Sequence, residues 1–530
     1  MLAHELARFN IPVRIIDKAS QPGRQSRAIA VQIRTLEIFS ALGLYNSLVS
    51  KAQALGALYI YVEKRPPLVI KPVLTSSAFL KPLFIDQSHT EHVLEQSLNE
   101  LGVIVERGVE LINLKQTPLG ITAELQIQNA GIEICGPFSF VVGADGAHSF
   151  VRKYMGESFA GSTYDDAFIL ADATCTDADS AHREQEEEGK FRIFFKKSHF
   201  LAMIPMHGKG HYRLISVRKD ERSRQGPEPT VQEFQNLIAK LVPFDFKLRN
   251  ISWVSRFFVQ CRSAQHYQKT PFFLIGDAAH IHSPAGGQGM NTGLQDAFNL
   301  AFKLALAHKR LAVPTIVETY EAERKPVGDF LIKYTDRFFK FMVRSSLWAR
   351  LLRRLVLPRF AGSPKCRAEI FRIGSQTAIR YKEGLLCPKR HHELADIKIG
   401  LRLINWPLID NHLHKTDIHS CAITNFFTCF IFVPANYNKK GAQKIYKHVH
   451  KIIAKFSFIK LIAIFASDYD AEKIMGEQDY CVLIDSLNSP LFTEFFYVIT
   501  RTDAHVFCAD FITNFDHAEQ ALQRWYISHD

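Results

Sequence analysis

The stretch FLIGDAAHIHSPAGGQGMNTG (273–293) limits what this chain can be more than any other feature. The buried strand PFFLIG (271–276) runs into an acid, Asp277, then into two histidines, Pro284 and a cluster of glycines. A long helix follows from about 290 to 308, with Leu294, Ala297, Phe298, Ala301, Phe302 and Ala305 on one face. Three chemistries compete for such a loop: a metal site, a phosphate cradle, or the floor of a larger ligand site.

A metal fits poorly. His280 and His282 supply two imidazoles where zinc needs three or four ligands, and the nearby acid ends a buried strand. Ordinary hydrogen-bonded loop histidines are the simpler reading, so no metal is expected. A simple phosphate loop also fits poorly. Gly287-Gln288-Gly289 followed by Gly293 departs from G-x-G-x-x-G spacing and lies well beyond the strand end. The third reading uses every residue type. Asp277 can bond the hydroxyls of a sugar-alcohol chain, Pro284 fixes the path of the loop, and the glycines let backbone N–H groups approach a flat ligand. The helix beginning near Met290 points its positive end at that ligand and stabilises negative charge there. A reduced isoalloxazine ring carries such a charge.

Bulk properties narrow the class. A chain of 530 residues exceeds one ordinary core and implies two or three domains. Its 47% apolar and 22% charged residues are those of a soluble globular protein. No apolar run approaches the roughly 18 residues that span a bilayer. The opening MLAHELARFNIPVRIID carries charges where a signal peptide is apolar. Nine cysteines are scattered without a C-x-x-C pair, as reduced buried thiols are. A cytoplasmic protein is expected. The net charge of +12 is dispersed, which argues against a nucleic-acid partner and favours anionic ligands. Its main concentration, FFKFMVRSSLWARLLRRLVLPRF (338–360), reads as an amphipathic helix packed on the body with a solvated basic face. Attachment to an anionic membrane surface is the other reading of that segment.

Along the chain, LAHELARF is helical by spacing, and IPVRIID is a short buried strand ending at Asp17. RTLEIFSALGLYNSL (34–48) predicts a helix, and Ser88-His89-Thr90-Glu91 a capping box opening a helix through Leu101. VIVERGVELINLKQ, ITAELQIQ and FSFVVGADGAHS read as strands with turns between them. From about 165 to 260 the chain is strand-rich, with FRIFF, HFLAMIPM and HYRLISV prominent. The pattern weakens near 385–420, as in a linker. Beyond it, FFTCFIFV, KKGAQKIYKHVHKIIAKF, KLIAIFAS, YCVLID, the hairpin FFYVITRTDAHVFCADF and FDHAEQALQRWY follow a thioredoxin-like order without the redox pair.

GDAAHIHSPAGGQGMNTGLQDAFNLAFKLA resembles the flavin-contact segment of the single-component FAD-dependent aromatic hydroxylases, the group of phenol 2-monooxygenase and para-hydroxybenzoate hydroxylase. Further motifs agree in order and spacing. Asp17 matches the family acid that binds the adenosine ribose. Arg27 in GRQSRAIAVQIRTLE matches an arginine near the cofactor, with Arg24 beside it, and Gln87 matches a flavin-contacting glutamine. VVGADGAHSFVR supplies Asp145-Gly146, a motif linked to both FAD and NAD(P)H, with Arg152 after it. TYEAERKPVG (319–328) is also family-like. Each motif alone has a plainer reading as a strand end, a solvated charge or a turn. The resemblance spans about 1–375, and the tail is similar to the C-terminal domain of the phenol hydroxylase branch.

That resemblance implies an α/β fold with four parts. Residues 1–164 and 261–380 form the two parts of a FAD-binding Rossmann-like domain, 165–260 an inserted β-rich substrate domain, and 395–530 a thioredoxin-like α/β domain without C-x-x-C. It implies FAD as cofactor and NAD(P)H as co-substrate, with the cofactor held at Asp17, Arg27, Gln87, Asp145, Gly146, Gly276, Asp277, Pro284, Gly287, Gly289, Met290 and Asn291. The implied reaction is hydroxylation of a small phenol-like aromatic by O2 through a flavin C4a-hydroperoxide. A base should touch the substrate hydroxyl, and Tyr164, His199, His211 and Tyr212 are its candidates. The family opens with a strand and G-x-G-x-x-G, whereas MLAHELARF corresponds to the middle of that first helix. A start further upstream is therefore expected, with weaker FAD binding by the chain as it stands. Cys421, Cys429, Cys481 and Cys508 sit singly in the tail as inert thiols, and the tail is expected to form a homodimer contact. The alternatives are a degenerate non-catalytic flavoprotein or scaffold, and a hydroxylase of polyketide or quinone-like substrates.

Overall fold

A computed structural model describes residues 1–23, 28–63, 65–72, 77–177, 189–197, 199–218, 226–283, 286–343, 363–385, 397–434, 437–465, 480–483 and 494–527. Helix α1 (Leu2–Arg8) leads into the strand Ile15–Asp17, which pairs in parallel with Val105–Arg107. Helix α2 (Gln87–Glu100) precedes that second strand and buries Thr90, Val93, Leu94 and Leu98. A second parallel pair joins Val141–Gly143 to Phe272–Leu274.

An eight-stranded sheet is built around the long strands Phe159–Asp177 and Phe246–Ala264. Their antiparallel register sets Asp172 opposite Trp253, while the neighbouring strand His211–Arg218 sets Arg213 opposite Asp172. Alternation gives the sheet two apolar faces. One receives helix α3 (Val231–Leu241), whose Phe234, Ile238 and Leu241 join Ile169, Phe194 and Leu214. The other turns Ile204, with Phe191 and Ile215, toward Ile29, Ala30 and Phe84.

Helix α4 (Gly289–His308) is the hub of the molecule. Ala297, Phe298, Ala301, Phe302 and Ala305 are buried, as its apolar face predicts, and Leu294 partly so, but Asn291, Asp296, Asn299 and Lys303 are buried as well. Helix α5 (Thr319–Val343) supplies partners for Asp296, Asn299 and Lys303 through Glu323 and Arg324. The basic segment 338–360 continues that helix to Val343, and its remainder lies outside the described residues.

In the tail, Phe427–Val433 runs parallel to Ile459–Phe465 and antiparallel to Phe496–Thr500, which pairs with Val506–Phe511. Helices α6 (Lys439–Ile453) and α7 (Phe515–Trp525) are the amphipathic segments read from the sequence. Its core is not separate from the front of the chain. Leu6, Phe9, Phe302, Phe427, Phe507 and Phe515 belong to one apolar cluster, with the Phe302 and Phe427 rings 5.9 Å apart. A buried ionic seam runs beside it: Glu323 accepts from Lys303 at 2.8 Å and from Arg501 at 2.7 Å. Arg501 also pairs with Asp503, whose carbonyl accepts from Arg34.

Three local expectations change. The helix expected over 34–48 is two helices, Ile33–Ala41 and Tyr45–Val49, because Gly43 between them has φ +76°. Ser88 does not cap α2; Asp86 is the N-cap residue, in extended backbone, and Ser88 lies inside the first turn. The strand Ile15–Asp17, expected to be buried, is only partly covered. Cys421, Cys429, Cys481 and Cys508 form no disulfide, and the Cys508 thiol lies 3.5 Å from the Tyr497 hydroxyl.

Candidate functional site

The strand Phe272–Leu274 ends in a turn at Gly276–Ala278 that only a glycine opens easily, since Gly276 has φ +56°. Asp277 is exposed at the tip while Ala278 and Ala279 are buried beneath it. Three bonds fix this turn. Gly276 N–H donates to Asp296 Oδ2 at 3.2 Å, Ile275 N–H to the Gly143 carbonyl at 3.0 Å, and Arg152 Nη1 to the Ala278 carbonyl at 2.7 Å. Arg152 also donates to the Ala147 carbonyl at 2.6 Å and lies 3.8 Å over the Phe159 ring. It thereby clamps the Asp145-Gly146 turn to the Asp277 turn. The Asp145 carboxylate is engaged locally, accepting from the N–H groups of Phe150 at 2.7 Å and Val151 at 3.2 Å.

Asp296, near the middle of α4, holds the turn from behind. Its Oδ2 accepts His280 Nε2–H at 2.7 Å and its Oδ1 accepts Arg324 Nε at 2.7 Å. Burial alone would raise the Asp296 carboxyl, but Arg324 and then His280 outweigh it and hold the pKa below the usual range. His282 Nδ1–H donates to the Ser283 carbonyl at 2.8 Å, and burial pushes its pKa down to about 4, so it is neutral at pH 7. Both histidines are thus tied to single oxygen partners. Among the described residues no group of three or more His, Cys, Asp or Glu side chains is gathered as a metal site.

The glycine loop is pinned to the strand Ala30–Val31. Asn291 is fully buried; its Nδ2 donates to the carbonyls of Ala30 and Gly287 at 2.8 and 2.9 Å, and its Oδ1 accepts Gln32 N–H at 2.8 Å. Gly287 has φ +61°, and a Cβ there would stand 2.8 Å from that of Ala30. Only a bare backbone passes there. Gly289 opens α4 beside the His282 ring, and Met290 packs on the cluster of Val31, Ile33 and Phe39. The first turn of α4 receives no side-chain cap, so its N–H groups and the helix dipole are left for an anionic or electron-rich ligand.

Two further residues belong to the same surround. Gln87 Oε1 accepts Ala28 N–H at 3.3 Å, which brings the start of α2 to the strand under the glycine loop. Asp17 closes its strand with a salt bridge to Arg107 at 2.9 Å, and Arg107 also reaches Glu95 at 3.1 Å. Glu95, which shares Arg107 with Asp17, lies about two helical turns along α2 from Gln87. Arg24, Arg27 and Pro284 lie outside the described residues.

None of the four base candidates is gathered at this loop. His199 bonds Lys240 of α3 at 2.7 Å, His211 is exposed, and Tyr212 packs on Phe246 on the α3 face. Tyr164 donates to Asp336 of α5, and burial with that bond raises its pKa. Two polar groups escaped the sequence reading. Asp296 was visible as part of a polar stripe with Asn299 and Lys303 on an otherwise apolar helix. The cluster of Arg213, Asp172 and Asp86 was not, because strand register alone assembles it.

The flavin end of FAD fits these residues: an exposed acid, glycine backbone that a Cβ would obstruct, and an uncapped helix N-terminus converge there. A family model described as FAD binding domain matches residues 1–335. The chain is 34% identical over 339 residues to 6-methylpretetramide 4-monooxygenase of Streptomyces rimosus, covering 63% of this chain and 58% of that protein. It therefore spans less than two thirds of that relative. It is 32% identical over 344 residues to rifampicin monooxygenase of Streptomyces venezuelae, covering 64% of this chain and 69% of that protein. The fold is that of OxyS anhydrotetracycline hydroxylase from Streptomyces rimosus, with a TM-score of 0.74 at 22% identity over 99% of this chain and 96% of the other.

Proposed function

The chain belongs to the FAD-binding family of flavin-dependent aromatic monooxygenases, and from that membership we propose that it hydroxylates a phenol-like ring using NAD(P)H and dioxygen. The observation that carries this reading is the convergence of the Asp277 turn and the Gly287 loop on the uncapped N-terminus of α4. When bound, FAD would supply the relay of electrons from NAD(P)H to dioxygen and the activated oxygen that results.

The tasks of the protein are to hold, orient and keep dry. Asp277 would bind the ribityl hydroxyls, and the N–H groups from Gly287, Gly289, Met290 and Asn291 would face the electron-rich edge of the ring. Asp17 would take the adenosine ribose, with Gln87, Gly276 and the Asp145-Gly146 turn lining the path between. Arg27, with Arg24 as its companion, and Pro284 would take the cofactor-side roles that the sequence resemblance implies. The apolar face that carries Phe191, Ile204 and Ile215 would cover the substrate ring and exclude water.

The substrate we favour is a fused, polyketide-like phenol, as in the names of the relatives. We also read residues 1–164 and 261–380 as the FAD-binding domain, 165–260 as the substrate domain, and 395–530 as a thioredoxin-like domain that contributes to a homodimer. The strand order around Phe427–Val433 supports the thioredoxin-like part. Among the described residues no helix is long and apolar enough to cross a membrane, and free thiols support a cytoplasmic setting. The test is purification followed by FAD titration and NADPH oxidation with a panel of phenols. A folded chain that takes up no FAD would defeat the reading.

A further inference from the structure

We propose that Asp86 is the proton acceptor for the ring hydroxyl of the substrate, an assignment that rests on the aromatic-hydroxylase reading above. Asp86 lies between the strand Leu83–Phe84 and α2, directly before Gln87. It occupies the N-cap position, yet its side chain makes no cap bond to the helix. Its Oδ1 instead accepts from Arg213 Nη2 at 3.3 Å. Arg213 is fully buried, and Asp172 already engages it through two bonds of 2.6 Å. The guanidinium is therefore neutralised mainly by Asp172, and structure alone does not require a second carboxylate beside it.

Three features point Asp86 toward a ligand. Half of its side chain is open, at 50% exposure, while Arg213 behind it is at 0%. Its Oδ2 makes no hydrogen bond among the described residues. Its neighbours in the chain, Phe84 and Ile85, are buried, and Phe84 packs with Ile29, Ala30 and Ile204 where the sheet meets the flavin-side strands. An open carboxylate beside such an apolar wall suits a ligand that is a flat hydrocarbon with one donor. The charged or titratable groups facing Asp86 are Arg213, Asp172 and His89. Burial first, and Asp172 after it, raise the carboxyl against the pull of Arg213 and His89, which makes it a stronger base than a free aspartate.

In the step, the phenolic O–H bond breaks and its proton passes to Asp86 Oδ2. The electron pair stays on the ring oxygen and enriches the ortho and para carbons that receive oxygen. Asp86 afterwards releases the proton to water through its open side. Arg213 and Asp172 act through Asp86 and are positioning residues.

The test uses the full chain with Asp86→Asn and Asp86→Glu. Equilibrium dialysis compares 2-naphthol with 2-methoxynaphthalene, the same ring without a donor. The wild type should prefer the naphthol about tenfold, because a hydrogen bond to a charged acceptor is lost with the ether. Asp86→Asn should erase that preference and Asp86→Glu should restore it. With FAD and NADPH, the hydroxylated product of Asp86→Asn, counted per NADPH oxidised, should fall about 100-fold, with hydrogen peroxide in its place and the acid side of the pH profile flattened. An undiminished naphthol preference, or unchanged hydroxylation, in Asp86→Asn would overturn the assignment. A wild type that prefers naphthol but binds no FAD would count against the flavin reading and not against Asp86.

Discussion

Arg324 Nε lies 2.7 Å from Asp296 Oδ1, and solvent reaches neither side chain. The pair joins α5 to α4, and through His280 and the Gly276 N–H it also fixes the turn that presents Asp277. A buried pair gives little net stability against an apolar substitute, yet breaking it strands a charge.

Asp296→Asn should therefore cost about 3–5 kcal/mol, read by urea denaturation. The double variant Asp296→Leu, Arg324→Met should cost less than the sum of the single changes, because no charge is left unpaired. A loss below about 1 kcal/mol for Asp296→Asn would show that Arg324 finds another partner.

The pH dependence follows from the same buried groups. Burial raises Asp296, Glu323, Glu37 and Asp503, but neighbouring cations outweigh it and all four carboxyls lie below their usual range. Depressed carboxyl values mean stability that is full above the unfolded value of about 4 and is lost as pH falls through the folded values. His282 moves in the same direction from a higher start. Burial lowers it from 6.5 to about 4, so its contribution is present above the unfolded value and is lost as pH falls toward 4. Thermal melts should show stability declining from near pH 6.5 and steeply below about pH 4. His282→Gln should make the upper part of that decline shallower, since His419 and His505 are lowered by burial in the same window, and leave the lower part; a His282→Gln melt curve parallel to wild type would show that its imidazole is not among the causes.

How far the sequence reached is visible residue by residue. The order of strands and helices, and the turn and helix on either side of the glycine loop, could be read because local composition dictates them: Gly276 and Gly287 adopt positive φ, and the α4 pattern buries Phe298 and Phe302. The break at Gly43 was missed because the apolar spacing of 34–48 carries on across it. Asp86, Asp172 and Arg213 were missed for a different reason. They meet only through the register of three separate segments, which no local pattern encodes. Register also separates neighbours: alternation puts Tyr212 on the α3 face of the sheet while Arg213 faces the other way.

Asp277→Ala should weaken FAD binding by about 1–3 kcal/mol, since hydroxyls would lose a charged partner. The residue is exposed, so the fold should not change. Gly287→Ala should weaken it by another route: the new Cβ meets Ala30 at 2.8 Å in a backbone conformation that alanine rarely takes. A flavin fluorescence titration with a parallel melt separates the two, because only Gly287→Ala should also lower the melting temperature. Equal melting temperatures would mean the loop shifts freely and is not held by Asn291.

Removal of the tail tests how closely it is tied to the rest of the chain. Its Phe427 and Phe507 share one apolar cluster with Leu6 and Phe302, and Arg501 neutralises Glu323 inside α5. A chain ending at Leu385 would expose that cluster and leave Glu323 with Lys303 as its remaining buried cation among these groups. Burial already lowers Lys303 to about 8, so the lysine is a weak replacement for a guanidinium. The shortened chain should be insoluble or should lose cooperative melting, rather than merely change its oligomeric state. The milder Arg501→Met keeps the apolar contacts and should cost about 3–5 kcal/mol, as expected when one partner of a buried pair is removed. Light scattering and thermal melting of both variants decide the matter. A shortened chain that melts cooperatively and binds FAD as the whole chain does would show that the seam is a docking contact and not part of the core.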